Sequence, residues 1–355
     1  MQRKFRTVYL ENFKGGLHLA RGLSNTYDKS LDVLHSDTLK SAIFAMSLQL
    51  YPELGSKEDG FREGESFMKA FKVSSAFPFF KTKEGRRLHF FPKPLIPALR
   101  FSIDGKTDGK EKQLKRLRYL ERSLFESVLK NSTEDLDLQE QSIQGSFATA
   151  SDLDFAGALK VANCDAMIRS EVHQHVHIPK DFSADSEPYV VDKIFFHKNA
   201  GLYFLLEVED SSVSDKVRAA MTLLQDSGIG TDRNTGNGQF EVRFGELTLE
   251  VPDEGELDLA LSLYCPTKEE IEKDVVNSFY GLTKRGGYIS SPASVEHQTI
   301  RKKSIYMFVE GSAFPSAKDS FREGKIVDLK PSFEGLNHPI WRDGRSIFVP
   351  MLSPK

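Results

Sequence analysis

Cysteine and tryptophan are scarce in this chain of 355 residues, which contains two cysteines and one tryptophan. Cys164 and Cys265 cannot build a disulfide framework or a cysteine-rich zinc site, and we predict that both are buried thiols. No apolar run approaches the roughly 20 residues that span a bilayer, and the opening MQRKFRTVYLENF lacks the apolar centre of a signal peptide. These absences predict a soluble cytoplasmic protein without membrane contact.

Positive and negative charges are nearly balanced, with 48 basic and 51 acidic side chains and a formal net charge of −3. Bulk positive charge is therefore excluded as a means of binding nucleic acid, although a local basic surface remains compatible with this composition. Hydrophobic residues make up 39% of the chain, so a packed core is expected, and 355 residues are enough for two domains.

The spacing of apolar residues predicts many strands and few helices. Helices are predicted at 36–50, 111–130 and 214–228, with Ser36 as the N-cap of the first helix and Asp37 in its first turn. Strands are predicted at 4–13, 239–250, 256–266, 304–310, 325–330 and 346–350, with extended or hairpin segments at 77–97 and 169–196, the latter with its tip near 181–188. Because helices do not alternate regularly with strands, the pattern indicates an α+β fold with antiparallel sheets.

A glycine-rich loop, DSGIGTDRNTGNGQF at 226–240, separates the third predicted helix from a predicted strand. A dinucleotide fingerprint would instead follow a strand and open a helix, and a P-loop would carry Gly-Lys-Ser/Thr before a helix. Neither arrangement is present, so no nucleotide cofactor is expected.

Two interpretations of the loop remain open from the residues alone. Its backbone amides could dock against an extended polyanion, with Arg233 adding charge and Thr231, Asn234 and Thr235 reaching sugar or phosphate. Alternatively, the glycines could serve only a tight structural turn that needs positive φ.

Several stretches agree, in order, with one protein family. They are GLHLARG at 16–22, HSDTLKSAIF at 35–44, FPFF and FPKPL within 77–95, the segment 175–208, GIGTDRNTGNGQFEV at 228–242, and the ending at 311–351. Together they resemble RAMP-type proteins, the RNA-binding subunits of CRISPR effectors, and within them the Cas-five-like group of the fourth Csm subunit of type III-A complexes. The sequence departs from the family in PKDFSAD, where Asp-Arg-x-Thr-Gly is common.

This resemblance implies two ferredoxin-like (RRM-like) domains with antiparallel sheets. The first would cover 1–210 and include a thumb hairpin near 169–195, and the second would lie in 211–355, which also contains the glycine-rich loop. It implies a non-catalytic subunit without cofactor or metal that caps the 5′ handle of the CRISPR RNA (crRNA). It also implies contacts with the large polymerase-like Csm subunit and with the backbone Csm subunit.

A single-stranded RNA handle needs phosphate contacts that fix its register and surfaces that receive splayed bases. On this basis the predicted RNA-binding residues are His18, Arg21, Ser36, Gly228, Gly230, Thr231, Arg233, Asn234, Gly236, Gly238, His175 and His177.

Metal binding is the main alternative for the HQHVH segment, because His173, His175 and His177 share one face of a strand. Successive side chains on that face are about 7 Å apart, which suits a tetrahedral ion poorly. A polar strand that faces RNA or solvent is therefore favoured over a metal site.

Two other functions remain open. One is a metal-independent endoribonuclease that processes precursor crRNA, with His18 and His35 as acid and base and Tyr27 and Lys40 drawn to the same cluster. The other is an assembly protein that acts independently of nucleic acid. Asp37 could be a metal-ligating carboxylate, but its position at a helix start favours capping.

Overall fold

A computed structural model describes the chain apart from residues 20–29, 131–135, 151–153, 179–185, 275, 290–299, 318–321, 334 and 355. Its helices are α1 (Ser36–Leu50), α2 (Arg62–Lys69), α3 (Glu111–Arg116), α4 (Arg122–Lys130), α5 (Phe155–Val161), α6 (Ser211–Ser227) and α7 (Lys268–Asp274). Within the described ranges, no helix is long and apolar enough to cross a membrane.

Strands outnumber helices. From the N-terminus they are β1 (Gln2–Lys14), β2 (Phe71–Val73), β3 (Phe77–Lys81), β4 (Arg87–Pro92), β5 (Phe101–Ile103), β6 (Tyr119–Glu121), β7 (Leu136–Leu138), β8 (Ile143–Gln144), β9 (Phe147–Ala148) and β10 (Ile168–His177). They continue as β11 (Glu187–Phe196), β12 (Ala200–Val208), β13 (Gln239–Glu250), β14 (Leu257–Ala260), β15 (Leu282–Arg285), β16 (Ile305–Phe308), β17 (Ala313–Pro315), β18 (Ile326–Asp328), β19 (Trp341–Asp343) and β20 (Phe348–Met351). The predicted mixture of helices with antiparallel sheets is confirmed.

The main sheet has the strand order β13-β1-β12-β3-β4-β6-β9-β8, and β2 also pairs with β12. The first four strands are antiparallel, and in chain order they form a β-α-β-β-α-β unit with α1 and α6 as its helices. Val8 and Leu10 of β1 pack in the core beneath these helices, whereas Phe5 and Tyr9 enter a second core on the opposite face. Burial of both faces explains why β1 does not alternate cleanly between apolar and polar residues.

The predicted domain boundary at residue 210 separates strands that belong to one sheet. β13, which follows the boundary, pairs with β1, which precedes it, along most of its length. The strand after the glycine-rich loop therefore belongs to the same sheet as the N-terminal strand. The division into two domains itself stays a prediction.

The C-terminal region forms a three-stranded sheet, β17-β14-β20, and two hairpins, β15–β16 and β18–β19. The leucines that alternate in the sequence from Leu257 to Leu263 are all buried, but the regular strand ends at Ala260. Cys164 and Cys265 are buried free thiols, as predicted.

The prediction of one helix at 111–130 is wrong. The segment forms α3, then the short strand β6, then α4. Tyr119 and Leu120 of β6 pair with β4 on one side and β9 on the other, and the Tyr119 ring stacks on Phe147 with centroids 5.3 Å apart. Helical periodicity continues on both sides of this strand, but sheet pairing and aromatic packing with distant residues override it locally.

The hairpin predicted at 169–196 is formed by β10 and β11, which pair from Ile168↔Phe196 to His177↔Glu187. Most of its predicted tip, at 181–188, lies outside the described residues.

Candidate nucleic-acid interface

The base of the glycine-rich loop is closed by close backbone contacts. The Ile229 amide donates to the Gly238 carbonyl at 2.9 Å. A Cβ on Gly238 would lie 2.0 Å from the Ile229 carbonyl oxygen, and a Cβ on Gly230 would lie 2.6 Å from that of His18. Both glycines also have positive φ, at 71° and 95°. Glycine is therefore required at these positions by packing, as the structural interpretation of the loop predicts.

The tip of the loop has a different environment. Residues 232–236 are all exposed, and Arg233–Thr235 form one 3-10 turn. A Cβ on Gly236 would meet nothing within 4 Å, although its φ of 80° still favours glycine. Arg233 and Asn234 thus stand on an exposed turn above a tightly packed base, where the Arg233 guanidinium group is accessible to an anionic ligand.

Three segments that are distant in sequence meet beneath this tip. Asn237 Oδ1 accepts hydrogen bonds from the Gly16 amide at 3.3 Å and from Lys193 Nζ at 3.4 Å. Leu17 exchanges backbone hydrogen bonds of 2.9 and 2.8 Å with Ile194 of β11. The loop, the segment after β1 and the root of the β10–β11 hairpin therefore form one continuous surface.

His18 lies under this surface, with its residue only 2% exposed. Its Nδ1 is 2.6 Å from the Asp192 carbonyl oxygen, and its own carbonyl accepts from the Thr231 amide at 3.0 Å. In this structure His18 therefore supports the loop from below and is not an accessible RNA donor. Thr231 Oγ1 is buried and has no hydrogen-bond partner among the described residues. Arg21 and Tyr27 lie outside the described residues.

The β10–β11 hairpin has two unlike faces. His175 stacks on Tyr189 with centroids 5.4 Å apart, and His173 lies 5.5 Å from the Phe195 ring. The opposite face exposes Val172 and Val176. The backbone of His177 pairs with that of Glu187 at the end of β10, and the side chain of His177 lies outside what the structure describes. Within the described ranges, no three His, Cys, Asp or Glu side chains form a group that could hold a metal ion.

Ser36 lies away from the surface, and the prediction that it caps α1 is wrong. The N-cap is His35, while Ser36 is the first helical residue and only 4% exposed. Its Oγ accepts from the Leu263 amide at 3.0 Å. Ser36 therefore joins α1 to the C-terminal region in this structure. His35 is also buried, with Nδ1 2.7 Å from Glu310 Oε1.

Asp37 forms a buried ion cluster that the sequence did not reveal. Arg285 donates to it twice, from Nε at 2.9 Å and from a terminal nitrogen at 3.0 Å, and Arg342 also donates to it. Burial raises the pKa of the Asp37 carboxyl, but the two guanidinium groups outweigh burial and hold this pKa below its usual range. These pairings assign Asp37 a structural role in joining α1 to the C-terminal hairpins.

A second buried cluster lies one helical turn further along α1. Lys40 Nζ is 2.9 Å from Asp343 Oδ2, and Arg345 Nε donates to Asp343 Oδ1 at 3.0 Å. Burial lowers the pKa of Lys40 to about 8, against the attraction of Asp343. Lys40 is thus committed to a structural pair and is not available for an acid–base site with His18.

Comparisons with known proteins agree with one another. Residues 253–351 match the family described as "CRISPR Csm4 C-terminal domain". Two proteins named "CRISPR system Cms protein Csm4" are similar to nearly the whole chain. That from Streptococcus thermophilus is 26% identical, covering 87% of this chain and 88% of the relative. That from Methanocaldococcus jannaschii is 25% identical, covering 92% and 93%.

Solved structures share the fold. A chain of a "Csm3-Csm4 subcomplex in the type III-A CRISPR-Cas interference complex" has a TM-score of 0.61 at 19% identity, covering 98% of this chain and 99% of that chain. A chain of the "Csm1-Csm4 cassette in complex with cA4" has a TM-score of 0.58 at 21% identity, covering 99% and 100%. At these identities the likeness concerns the fold.

Proposed function

This chain belongs to the Csm4 family of CRISPR proteins, and on that premise we propose that it is a non-catalytic crRNA-binding subunit of a type III-A Csm interference complex. In that role it caps the 5′ handle of the crRNA. It joins the large polymerase-like subunit to the backbone filament. Support for these partners comes from the structural neighbours, which were solved together with Csm3 or with Csm1.

One observation carries the RNA-binding part of the proposal: an exposed turn stands on a base that is closed by tight backbone contacts. The tip at 232–236 presents the exposed Arg233, the amides of Thr235 and Gly236 donate within the turn, and Asn237 ties the tip to Gly16 and Lys193. A pre-ordered donor surface loses little conformational entropy when it binds a flexible strand.

The topology fits the fold that this function implies. The β-α-β-β-α-β unit, with sheet order β13-β1-β12-β3, is a ferredoxin-like arrangement. We assign the β10–β11 hairpin as the thumb. One face of this hairpin carries the stacked pair His175 and Tyr189. Because the root of the hairpin contacts the glycine-rich loop, this face would meet the same RNA.

The absence of catalysis is part of the proposal, and the geometry of the histidines supports it. A general acid or base must reach the substrate within hydrogen-bonding distance. His18 is buried against the Asp192 carbonyl, and His35 is buried against Glu310. Neither imidazole faces the loop tip where RNA would lie in this proposal.

A binding experiment tests the proposal. The full chain is titrated with the labelled 5′ repeat-derived segment of the crRNA from the same locus, and Arg233→Glu is compared with the matched variant Arg62→Glu on the exposed surface of α2. We expect weaker binding and a shallower salt dependence for Arg233→Glu alone, because about one phosphate contact is lost. Equal affinity of the two variants, with both folded, or cleavage of the RNA by the unmodified chain in EDTA, would contradict the proposal.

A further inference from the structure

The β15–β16 hairpin carries a local excess of positive charge in an otherwise acidic chain. Residues 276–309 contain five lysines and arginines and a single carboxylate, Glu296, which lies outside the described residues. The whole chain has a net charge of −3. Such a segment creates a positive surface that attracts polyanions even when the protein as a whole does not.

The outward face of this hairpin also exposes large apolar and aromatic side chains. It consists of Tyr280, Leu282, Lys284, Tyr288, Arg301 and Tyr306, which we call the tyrosine–lysine face. Tyr280, Tyr288 and Tyr306 are 42%, 47% and 62% exposed. These three exposed tyrosines share one small surface and provide aromatic rings on which bases could stack.

Cations alternate with these rings along the two strands. Lys284 lies opposite Tyr306, with Nζ 6.0 Å from the ring centroid. Arg301 lies opposite Tyr288 across an isolated bridge, with its guanidinium carbon 5.2 Å from that ring. An extended ribose-phosphate chain presents phosphates and bases at alternating positions, and cations beside rings match that alternation.

The hairpin is anchored to the rest of the chain from its inner side. Arg285, the neighbour of Lys284, enters the ion cluster with Asp37, and Met307, the neighbour of Tyr306, is buried. Phe308 exchanges two backbone hydrogen bonds, of 2.9 and 2.8 Å, with Tyr264. The tyrosine–lysine face is therefore presented in a fixed geometry, which favours binding over an equally charged flexible tail.

The electrostatic environment behind the hairpin is also positive. Lys302 is half-buried, and burial together with the nearby Arg342 lowers its pKa to about 8. Two carboxylates act here: Asp37 is shared by Arg285 and Arg342, and Glu310 also raises the pKa of Arg285. Three cations, Lys302, Arg285 and Arg342, thus stand against two carboxylates behind the hairpin.

From these observations we infer that the tyrosine–lysine face is a second binding surface for single-stranded RNA, separate from the glycine-rich loop and independent of the sequence of the crRNA handle. Lys284 and Arg301 contact phosphates there, and Tyr288 and Tyr306 stack on bases. Stacking tolerates any base, so this surface binds RNA without sequence preference.

The test uses the full-length chain and a labelled oligouridine without any repeat sequence, titrated by fluorescence anisotropy at low and at near-physiological salt. Lys284→Glu removes a cation, and Tyr306→Ala removes a ring. Lys268→Glu on the acidic helix α7 is the charge-matched control. Tyr306→Phe retains the ring and serves as the conservative control, and thermal melting verifies that each variant is folded.

We expect Lys284→Glu to weaken binding severalfold and to lower the slope of log K against log salt by about 1. Tyr306→Ala should weaken binding by roughly fivefold or more, while Tyr306→Phe stays within about twofold of the unmodified chain. If Lys284→Glu and Tyr306→Ala bind oligouridine as tightly as Lys268→Glu does, the inference is wrong. Loss of a partner subunit in the same two variants, with oligouridine binding unchanged, would identify a protein interface instead and would also overturn it.

Arg233→Glu separates this inference from the proposed function. If only Arg233→Glu weakens oligouridine binding, the glycine-rich loop supplies all RNA contacts and the second surface does not exist. If Arg233→Glu leaves the affinity for the crRNA handle unchanged, the proposed role of the loop is wrong. If oligouridine affinity still falls in Lys284→Glu and Tyr306→Ala, the second surface is supported.

Discussion

Arg285 and Asp37 form a buried bidentate ion pair across 248 positions of sequence, with the carboxylate fully buried at the start of α1 and the guanidinium group on the β15–β16 hairpin. Arg342 donates to the same carboxylate from the β18–β19 hairpin. One side chain thus fixes two C-terminal hairpins against the first helix of the main sheet.

The first prediction concerns the stability that this pair provides. Arg285→Met leaves the buried Asp37 with fewer partners, and removal of one member of a buried pair costs about 3–5 kcal/mol. We expect a loss of that order in the free energy of unfolding, measured in urea. As the matched control, Lys69→Met breaks the exposed Glu65–Lys69 pair and should change stability by no more than about 0.5 kcal/mol. Equal stability of the two variants would show that Arg285 does not anchor the hairpin.

The second prediction concerns acid. The pKa values of Asp37 and Asp343 are lowered because nearby cations outweigh the effect of burial, and the pKa of Glu310 is lowered because its interactions with His35 and Ser75 outweigh burial. The unfolded chain then binds more protons than the folded chain below about pH 4.5, so these groups stabilise the fold above that pH and lose their contribution as the pH falls. We expect unfolding free energy to decline steeply on acidification. The decline should be shallower in Arg285→Met, in which Asp37 has lost a cation; an unchanged slope would contradict this assignment.

The third prediction concerns alkali. Lys40 has an ordinary pKa of 10.5 that burial lowers to about 8, so between these values the unfolded chain binds more protons than the folded chain. Stability should therefore rise with pH across this window through Lys40, by an amount on the order of 3 kcal/mol. The difference in unfolding free energy between the unmodified chain and Lys40→Met, measured at both ends of the window, isolates this contribution from that of other groups. A pH-independent difference would count against it.

The fourth prediction separates the base of the glycine-rich loop from its tip. Gly238→Ala places a Cβ 2.0 Å from a backbone oxygen at positive φ, and we expect both a lower melting temperature and weaker handle binding. Gly236→Ala meets no neighbouring atom and should cost only about 1 kcal/mol of conformational strain. Thermal melts and handle titrations of the two variants check this ranking. A Gly236→Ala variant that is the less stable of the two would refute it.

Local sequence patterns predicted much of the fold. The helices α1 and α6, the strands β1 and β13, and the loop between α6 and β13 lie where apolar spacing and glycine placement indicated. These elements are long enough for periodicity to be informative. The spacing of apolar residues does not predict the strand at Tyr119–Glu121. These three residues lie within a helical pattern and become a strand because they pair with β4 and β9, which are distant in sequence.

The candidate site was less predictable. The loop and the exposure of Arg233 follow from local composition, but the burial of His18 depends on Asp192, which lies 174 residues away in sequence. Likewise, Asp37 and Arg342 form an ion pair across 305 positions of sequence, and the local sequence around either residue does not predict this contact. The chemistry of the imidazole suggests His18 as an RNA donor. Whether a polar group stays exposed depends on tertiary contacts, and these bury His18.

The pairing of β1 has a consequence for synthesis on the ribosome. Its two sheet neighbours, β12 and β13, begin only at Ala200 and Gln239. At ordinary translation rates of about 5–20 residues per second, the first strand leaves the exit tunnel roughly 10 seconds or more before either neighbour exists. The nascent chain must therefore keep this unpaired strand, which includes the core residues Val8 and Leu10, from associating with other chains during that interval, and fragments that end before residue 200 should need a chaperone to remain in solution.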